Sequence, residues 1–128
     1  KMHVAKNSGA ETVEIWGTGT PMREFLHVDD LADACRFLMQ NYDGAEHINV
    51  GTGTDITIRE LAEAVARVVG FEGELTFDTA KPDGTPRKLM DVSRLTALGW
   101  TASTGLDTGL ADAYRDFLAS EGNFRGSD

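Results

Sequence analysis

A chain of 128 residues, 41% of them hydrophobic and 26% charged, suits one compact domain or a piece of a larger one. Its net charge of −9 argues against nucleic acid or an anionic membrane as a whole-surface partner. No apolar run approaches the roughly 20 residues that cross a bilayer. No apolar signal segment opens the chain, and the lone Cys35 excludes an internal disulfide, so the expected location is cytoplasmic.

Lys1 to Lys6 reads as the tail of a helix, as if the chain begins inside an element. Val13-Glu14-Ile15-Trp16 alternates apolar and polar residues and predicts a strand over 13–16, broken by Gly17-Thr18-Gly19-Thr20-Pro21. Phe25 to Val28 is expected to be extended. Asp29-Asp30 then offers a cap and first-turn acids for a helix over 30–41. Leu31, Cys35, Leu38 and Met39 share one face of that helix, which would bury Cys35 as an inert thiol. His47 to Val50 predicts a second strand, stopped by Gly51-Thr52-Gly53.

Thr57 and Glu60 form a capping box for a helix over 58–69 that carries Leu61, Val65, Val68 and Val69, with Gly70 at its end. Leu75 to Phe77 is a third strand, followed by the polar loop Thr79 to Arg87. Ser93 is placed to cap a short helix ending at Leu98-Gly99-Trp100. A last helix over 107–120 follows, with Leu106, Leu110, Tyr114, Phe117 and Leu118 as its apolar set. Strands alternating with helices indicate an α/β architecture.

The chemistry is that of recognition. Gly17-Thr18-Gly19 and Gly51-Thr52-Gly53 each lack the third glycine of a dinucleotide fingerprint, because Met22 and Ile56 stand there, so both read as strand-ending turns. His27-Val28-Asp29-Asp30 has no second His or Cys at ligand spacing and is not a metal site. Neither Tyr42 nor Tyr114 is followed four residues later by a lysine. Arg23, between a glycine turn and a strand, can offer a fork to phosphate oxygens. Lys81, Arg87 and Lys88 cluster around Pro82-Asp83-Gly84-Thr85-Pro86, and Trp16 can present an apolar edge to a sugar or base. The bland readings stand beside these: Arg23 as a surface ion-pair partner, the loop as a solvated charge run, Trp16 as core.

Order and spacing favour the first set. The run from Gly17 to Ala32 resembles the Gly-x-Gly…Arg-x-Phe-x-His-Val-x-Asp signature of the extended short-chain dehydrogenase/reductases that act on nucleotide sugars. Trp16 to Pro21, Lys81-Pro82-Asp83-Gly84-Thr85-Pro86-Arg87-Lys88, Ile48 to Gly51, Ile58 to Ala62 and Leu98 to Trp100 extend the similarity over nearly the whole chain and narrow it to a GDP-sugar branch. That resemblance implies conversion of GDP-4-keto-6-deoxy-D-mannose to GDP-L-fucose, by epimerisation at C3 and C5 and reduction at C4 with NADPH.

It further implies that residues 1–128 are the C-terminal sugar-nucleotide-binding portion of a homodimeric enzyme. The elements around 31–40 and 48–50 would pack on an upstream NADP-binding Rossmann domain. Lys1, Trp16, Arg23, Asp83 and Lys88 match substrate-binding positions. The family's glycine fingerprint and its catalytic Ser, Tyr, Lys, Cys and His lie upstream of Lys1. No catalytic or cofactor-binding residue is therefore expected here, and these residues alone should be inactive. Two alternatives are the substrate portion of an epimerase or dehydratase for UDP or dTDP sugars, and a non-catalytic nucleotide-sugar-binding protein of the same fold.

Overall fold

The computed structural model describes residues 1–120. The elements run α1 (Met2–Ser8), β1 (Thr12–Trp16), β2 (Met22–Glu24), α2 (Val28–Asn41), β3 (Asp55–Thr57), α3 (Ile58–Val69), β4 (Glu74–Asp78), β5 (Arg87–Lys88), α4 (Ser93–Leu98) and α5 (Leu106–Ala119). This is the expected α/β architecture, arranged around two small sheets. In one, β1 and β4 pair in parallel, with Trp16 opposite Asp78. In the other the order is β3-β2-β5: Arg23 lies opposite Ile56 on antiparallel β3 and opposite Lys88 on parallel β5. Among the described residues no helix is long and apolar enough to cross a membrane.

Helix α3 forms as its sequence predicts. The Thr57 hydroxyl accepts from the Glu60 amide at 3.1 Å, and the Glu60 carboxylate accepts from the Thr57 amide at 2.8 Å. Gly70 ends it in the left-handed region at φ 72°, its amide donating to the Ala66 and Arg67 carbonyls. The apolar side of α3 meets α1, β1 and the residue after its cap in a core of Met2, Ala5, Val13, Ala62, Ala66, Val69 and Phe71. Lys6 fastens the two helices, its Nζ donating to the Val69 carbonyl at 2.8 Å. A second, smaller cluster gathers Ala34, Leu95 and Trp100, with Phe37, Leu38, Ile48 and Val50 against it.

Four expectations are corrected. Residues 47–50 form no strand: Ile48 and Val50 pack by side chain on the second cluster, and no neighbouring edge among the described residues pairs with their backbone. The cap of α2 is His27, whose Nδ1 accepts from the Asp29 amide at 3.3 Å. Asp30 is instead buried, accepting from the Ser103 hydroxyl at 2.7 Å and the Thr104 amide at 2.8 Å. On α2 it is Ala34 that is fully buried, whereas Leu31 is 44% and Met39 86% exposed, and Cys35 is exposed too. The helix packs Ala34, with Phe37 and Leu38, on the chain's own cluster and turns Leu31, Cys35 and Met39 outward. Ser93 is the first residue of α4 rather than its cap; its amide donates to Asp91 Oδ1 at 2.9 Å.

Candidate functional site

Trp16 closes β1 and is 65% exposed, so the core reading of it fails. Two ammonium groups approach its ring. Lys1 Nζ lies 5.7 Å and Lys81 Nζ 5.4 Å from a ring centroid. Lys1, just before α1, also donates to the Glu14 carbonyl at 3.3 Å, which holds its side chain along β1.

After Trp16 the chain turns through Gly17 at φ 84° and Gly19 at φ 78°, conformations that a side chain would strain. The turn also has no room for side chains. A Cβ on Gly17 would collide with the Asp83 carboxylate, and one on Gly19 with the Phe77 ring. Asp83 Oδ1 accepts from the Thr18 amide at 2.8 Å and Oδ2 from the Thr18 hydroxyl at 2.7 Å. These bonds hold the Asp83 carboxyl below the usual carboxylate range. The loop that leaves β4 is thereby fastened to the turn that leaves β1.

From that anchor the loop runs into β5 and meets Arg23. The Arg23 Nη1 donates to the Met22 carbonyl at 2.6 Å and to the Thr85 carbonyl at 2.7 Å. Gly84 permits the approach, since a Cβ there would lie 3.0 Å from Nη2. Nε and Nη2 have no hydrogen-bond partner among the described residues. Arg23 lines a cleft of about 400 Å³ together with Phe25, Thr52, Thr54, Ile56 and Ser103. Lys88 stands beside Arg23 on the next strand, exposed and without an ion-pair partner among the described residues.

Arg87, the third base of the loop cluster, has a different job. It grips Asp55 bidentately, Nε to Oδ2 at 2.7 Å and Nη2 to Oδ1 at 3.2 Å, tying β5 to β3 across β2. The bond from Arg87 holds the Asp55 carboxyl low, and the same bond raises the guanidinium. Arg87 and Lys88, adjacent in sequence, thus point to opposite faces of the sheet, and the face shared by Arg23, Ile56 and Lys88 is the one that carries the cleft.

The structure brings the predicted residues together in two groups. Lys1 and Trp16 lie at the end of β1, and Arg23 and Lys88 on the three-stranded sheet, with Asp83 in the loop between. Sequence reasoning missed the groups that support them. Glu24 Oε1 accepts from the Gly53 amide at 2.6 Å and Oε2 from the Met90 amide at 3.1 Å, holding the second glycine turn against the end of β5. Arg59 lies with its guanidinium 3.7 Å from the Phe77 ring centroid and donates to the Thr18 carbonyl at 3.3 Å. Glu24 follows Arg23 directly, and its being the single carboxylate between Glu14 and Asp29 was the available signal.

Residues 1–51 match the NAD dependent epimerase/dehydratase family. The fold is likewise similar to solved reductases and epimerases that act on nucleotide sugars, among them a UDP-glucose 4-epimerase of Thermotoga maritima at a TM-score of 0.74 and 25% identity, over 91% of this chain and 38% of that one. The chain is 61% identical over 118 residues to GDP-L-fucose synthase 1 of Arabidopsis thaliana, covering 92% of this chain and 36% of that protein. It is 50% identical over 135 residues to the GDP-L-fucose synthase of Escherichia coli (strain K12), covering 98% and 42%. A crystal structure of a GDP-L-fucose synthetase from Naegleria fowleri bound to NADP matches with a TM-score of 0.90 at 25% identity, over 97% of this chain and 39% of that one. The chain spans between 36% and 42% of the length of these curated relatives.

Proposed function

We propose that these residues are the sugar-nucleotide-binding portion of a GDP-L-fucose synthase. The whole enzyme would convert GDP-4-keto-6-deoxy-D-mannose to GDP-L-fucose by 3,5-epimerisation and NADPH-dependent 4-reduction, as a cytoplasmic homodimer. The observation that carries the reading is the pairing of Arg23 with Lys88 on neighbouring strands, at the edge of a cleft, in a chain 50–61% identical to proteins of that name.

Arg23 and Lys88 meet the pyrophosphate charge. The carbonyls of Met22 and Thr85 fix the guanidinium by Nη1 and leave Nε and Nη2 as a fork. Trp16 forms an apolar wall with Lys1 beside it, and Asp83 completes the substrate-binding set.

Neither glycine turn fits NADP. The turns at Gly17 and Gly51 lack the third glycine, and the space over Gly17 and Gly19 is filled by Asp83 and Phe77. We assign cofactor binding to the remainder of the proposed enzyme.

The test is titration of the full-length protein with GDP-sugar. A hydrogen bond to a charged group contributes roughly 1.5–3 kcal/mol, so Arg23→Ala or Lys88→Ala weakens binding roughly 10- to 150-fold. Arg23→Lys recovers part of the loss, because an ammonium cannot reproduce the fork. Arg115→Ala, which removes an exposed base paired with Asp112 within α5, binds as wild type does. Equal affinity in Arg23→Ala, Lys88→Ala and Arg115→Ala overturns the anchor assignment. Competition by GDP, UDP and dTDP sugars identifies the nucleotide, with only GDP sugars displacing the ligand at low concentration.

A further inference from the structure

Lys81 is given no ligand contact in the reading above. Its ammonium group lies 5.4 Å from the exposed Trp16 ring, and Lys1 approaches the same ring to 5.7 Å. Among the described residues neither lysine has a carboxylate within ion-pair distance.

A cation over an exposed aromatic ring gains only about 0.5–1 kcal/mol. Both groups at the ring are cations, so neither neutralises the other. The arrangement is therefore poorly explained as a device for its own stability. It is well explained as a receptor whose positive charges are neutralised by an incoming anion.

Lys81 is also held in place. Its amide donates to the Asp78 carbonyl at 3.2 Å, Pro82 stiffens the next residue, and Asp83 fastens the loop to Thr18. The side chain thus starts from a backbone already positioned beside Trp16, which limits the ordering cost of binding.

We propose that Lys81 is a ligand-contacting residue, whose ammonium group donates to a phosphate oxygen of a nucleoside-diphosphate sugar packed against Trp16. This rests on the nucleotide-sugar reading above and adds to it a third basic contact, on the opposite side of the Asp83 anchor in sequence from Lys88. Lysine suits the task as a point charge, which tolerates a phosphate whose orientation is fixed elsewhere by the Arg23 fork.

The experiment is titration of the full-length enzyme with GDP-sugar over a series of salt concentrations. The variants are Lys81→Ala, Lys81→Gln and Lys81→Arg, with thermal unfolding as a check on folding. Lys81→Ala and Lys81→Gln weaken binding roughly 10- to 150-fold. They also flatten its salt dependence, because one charge–charge contact is gone. Lys81→Arg recovers most of the affinity and all of the salt dependence. Loss of affinity with the wild-type salt dependence intact means that Lys81 merely packs on Trp16, and overturns the proposal. So does wild-type affinity in Lys81→Gln while Arg23→Ala and Lys88→Ala bind weakly, a result that leaves the site reading standing. Wild-type affinity in all of these variants removes the site reading itself, and this proposal with it.

Discussion

At the scale of single residues, the family resemblance implies that Asp83 contacts substrate, and the structure shows where its oxygens already point. Both accept from Thr18. A carboxylate so engaged acts on a ligand mainly by placing its loop, and that can be measured. In the proposed full-length enzyme, Thr18→Val and Asp83→Asn should each weaken the proposed GDP-sugar binding several-fold, and the double variant should be little worse than either single one. Strongly additive losses in that cycle mean that Asp83 reaches the ligand independently of Thr18.

Asp30 allows a test by pH. Burial works against its charged form, but the bonds from Ser103 and Thr104 outweigh burial and hold its carboxyl below the usual range. A carboxyl lowered in the folded state stabilises fully above its unfolded value of about 3.9, and that contribution is lost as pH falls through the lowered value. Asp30→Asn should therefore lower the melting temperature at pH 7 and make progressively less difference towards pH 3. An equal deficit at both pH values excludes the charge as the cause. Trp16 shows the limit of reading residues one at a time: the aromatic ring was visible in the sequence, while its exposure and the approach of Lys1 and Lys81 to it belong to the folded arrangement.

At the scale of elements, legibility follows from whether an element carries its own instructions. Helix α3 does. Thr57, Glu60 and Gly70 mark both ends, and its observed bounds match the predicted 58–69. Thr57→Ala should cost about 1 kcal/mol of stability by urea unfolding, since it removes the acceptor for the Glu60 amide. Gly70→Ala should cost about 1–2 kcal/mol because the left-handed backbone there disfavours a Cβ.

Helix α2 carried its length and its acids in the sequence but not its inward face. Its apolar stripe is broader than the surface this chain offers it, so periodicity could not choose between Ala34 and the Leu31, Cys35, Met39 side. The 47–50 segment failed for a related reason. Alternation of Ile48 and Val50 reports two half-buried side chains, whereas a strand also needs an edge to pair with. Strands β2, β3 and β5 are three, three and two residues long, too short for a period to show. Yet they set Arg23 beside Lys88, so the two bases were legible as candidates and their pairing on neighbouring strands was not.

At the scale of the whole molecule, the two clusters differ in what holds them. The first joins α1, β1 and α3 through seven buried residues. The second rests on Ala34, Leu95 and Trp100, helped by the Trp100 Nε1 bond to Asp33 at 2.9 Å and the Asp30 bonds to Ser103 and Thr104. Helix α2 belongs to this smaller cluster and exposes Val28, Leu31 and Met39. It should be the least protected long helix of the chain, opening without the rest. Leu95 is the cluster's central side chain, only 1% exposed, and its truncation to Ala should cost about 2–5 kcal/mol. That exceeds what so small a cluster can lose and stay closed. By hydrogen exchange on the 128-residue chain, Leu95→Ala should abolish protection in Val28–Asn41 and Ser93–Leu98 while the amides of Ile58–Val69 and Glu74–Asp78 keep theirs. Equal loss in α3 and β4 means one cooperative core and refutes the division. In the full-length enzyme, where the proposed cofactor domain would cover the outer face of α2, the same substitution should leave α2 largely protected. An α2 equally unprotected in both settings counts against that docking.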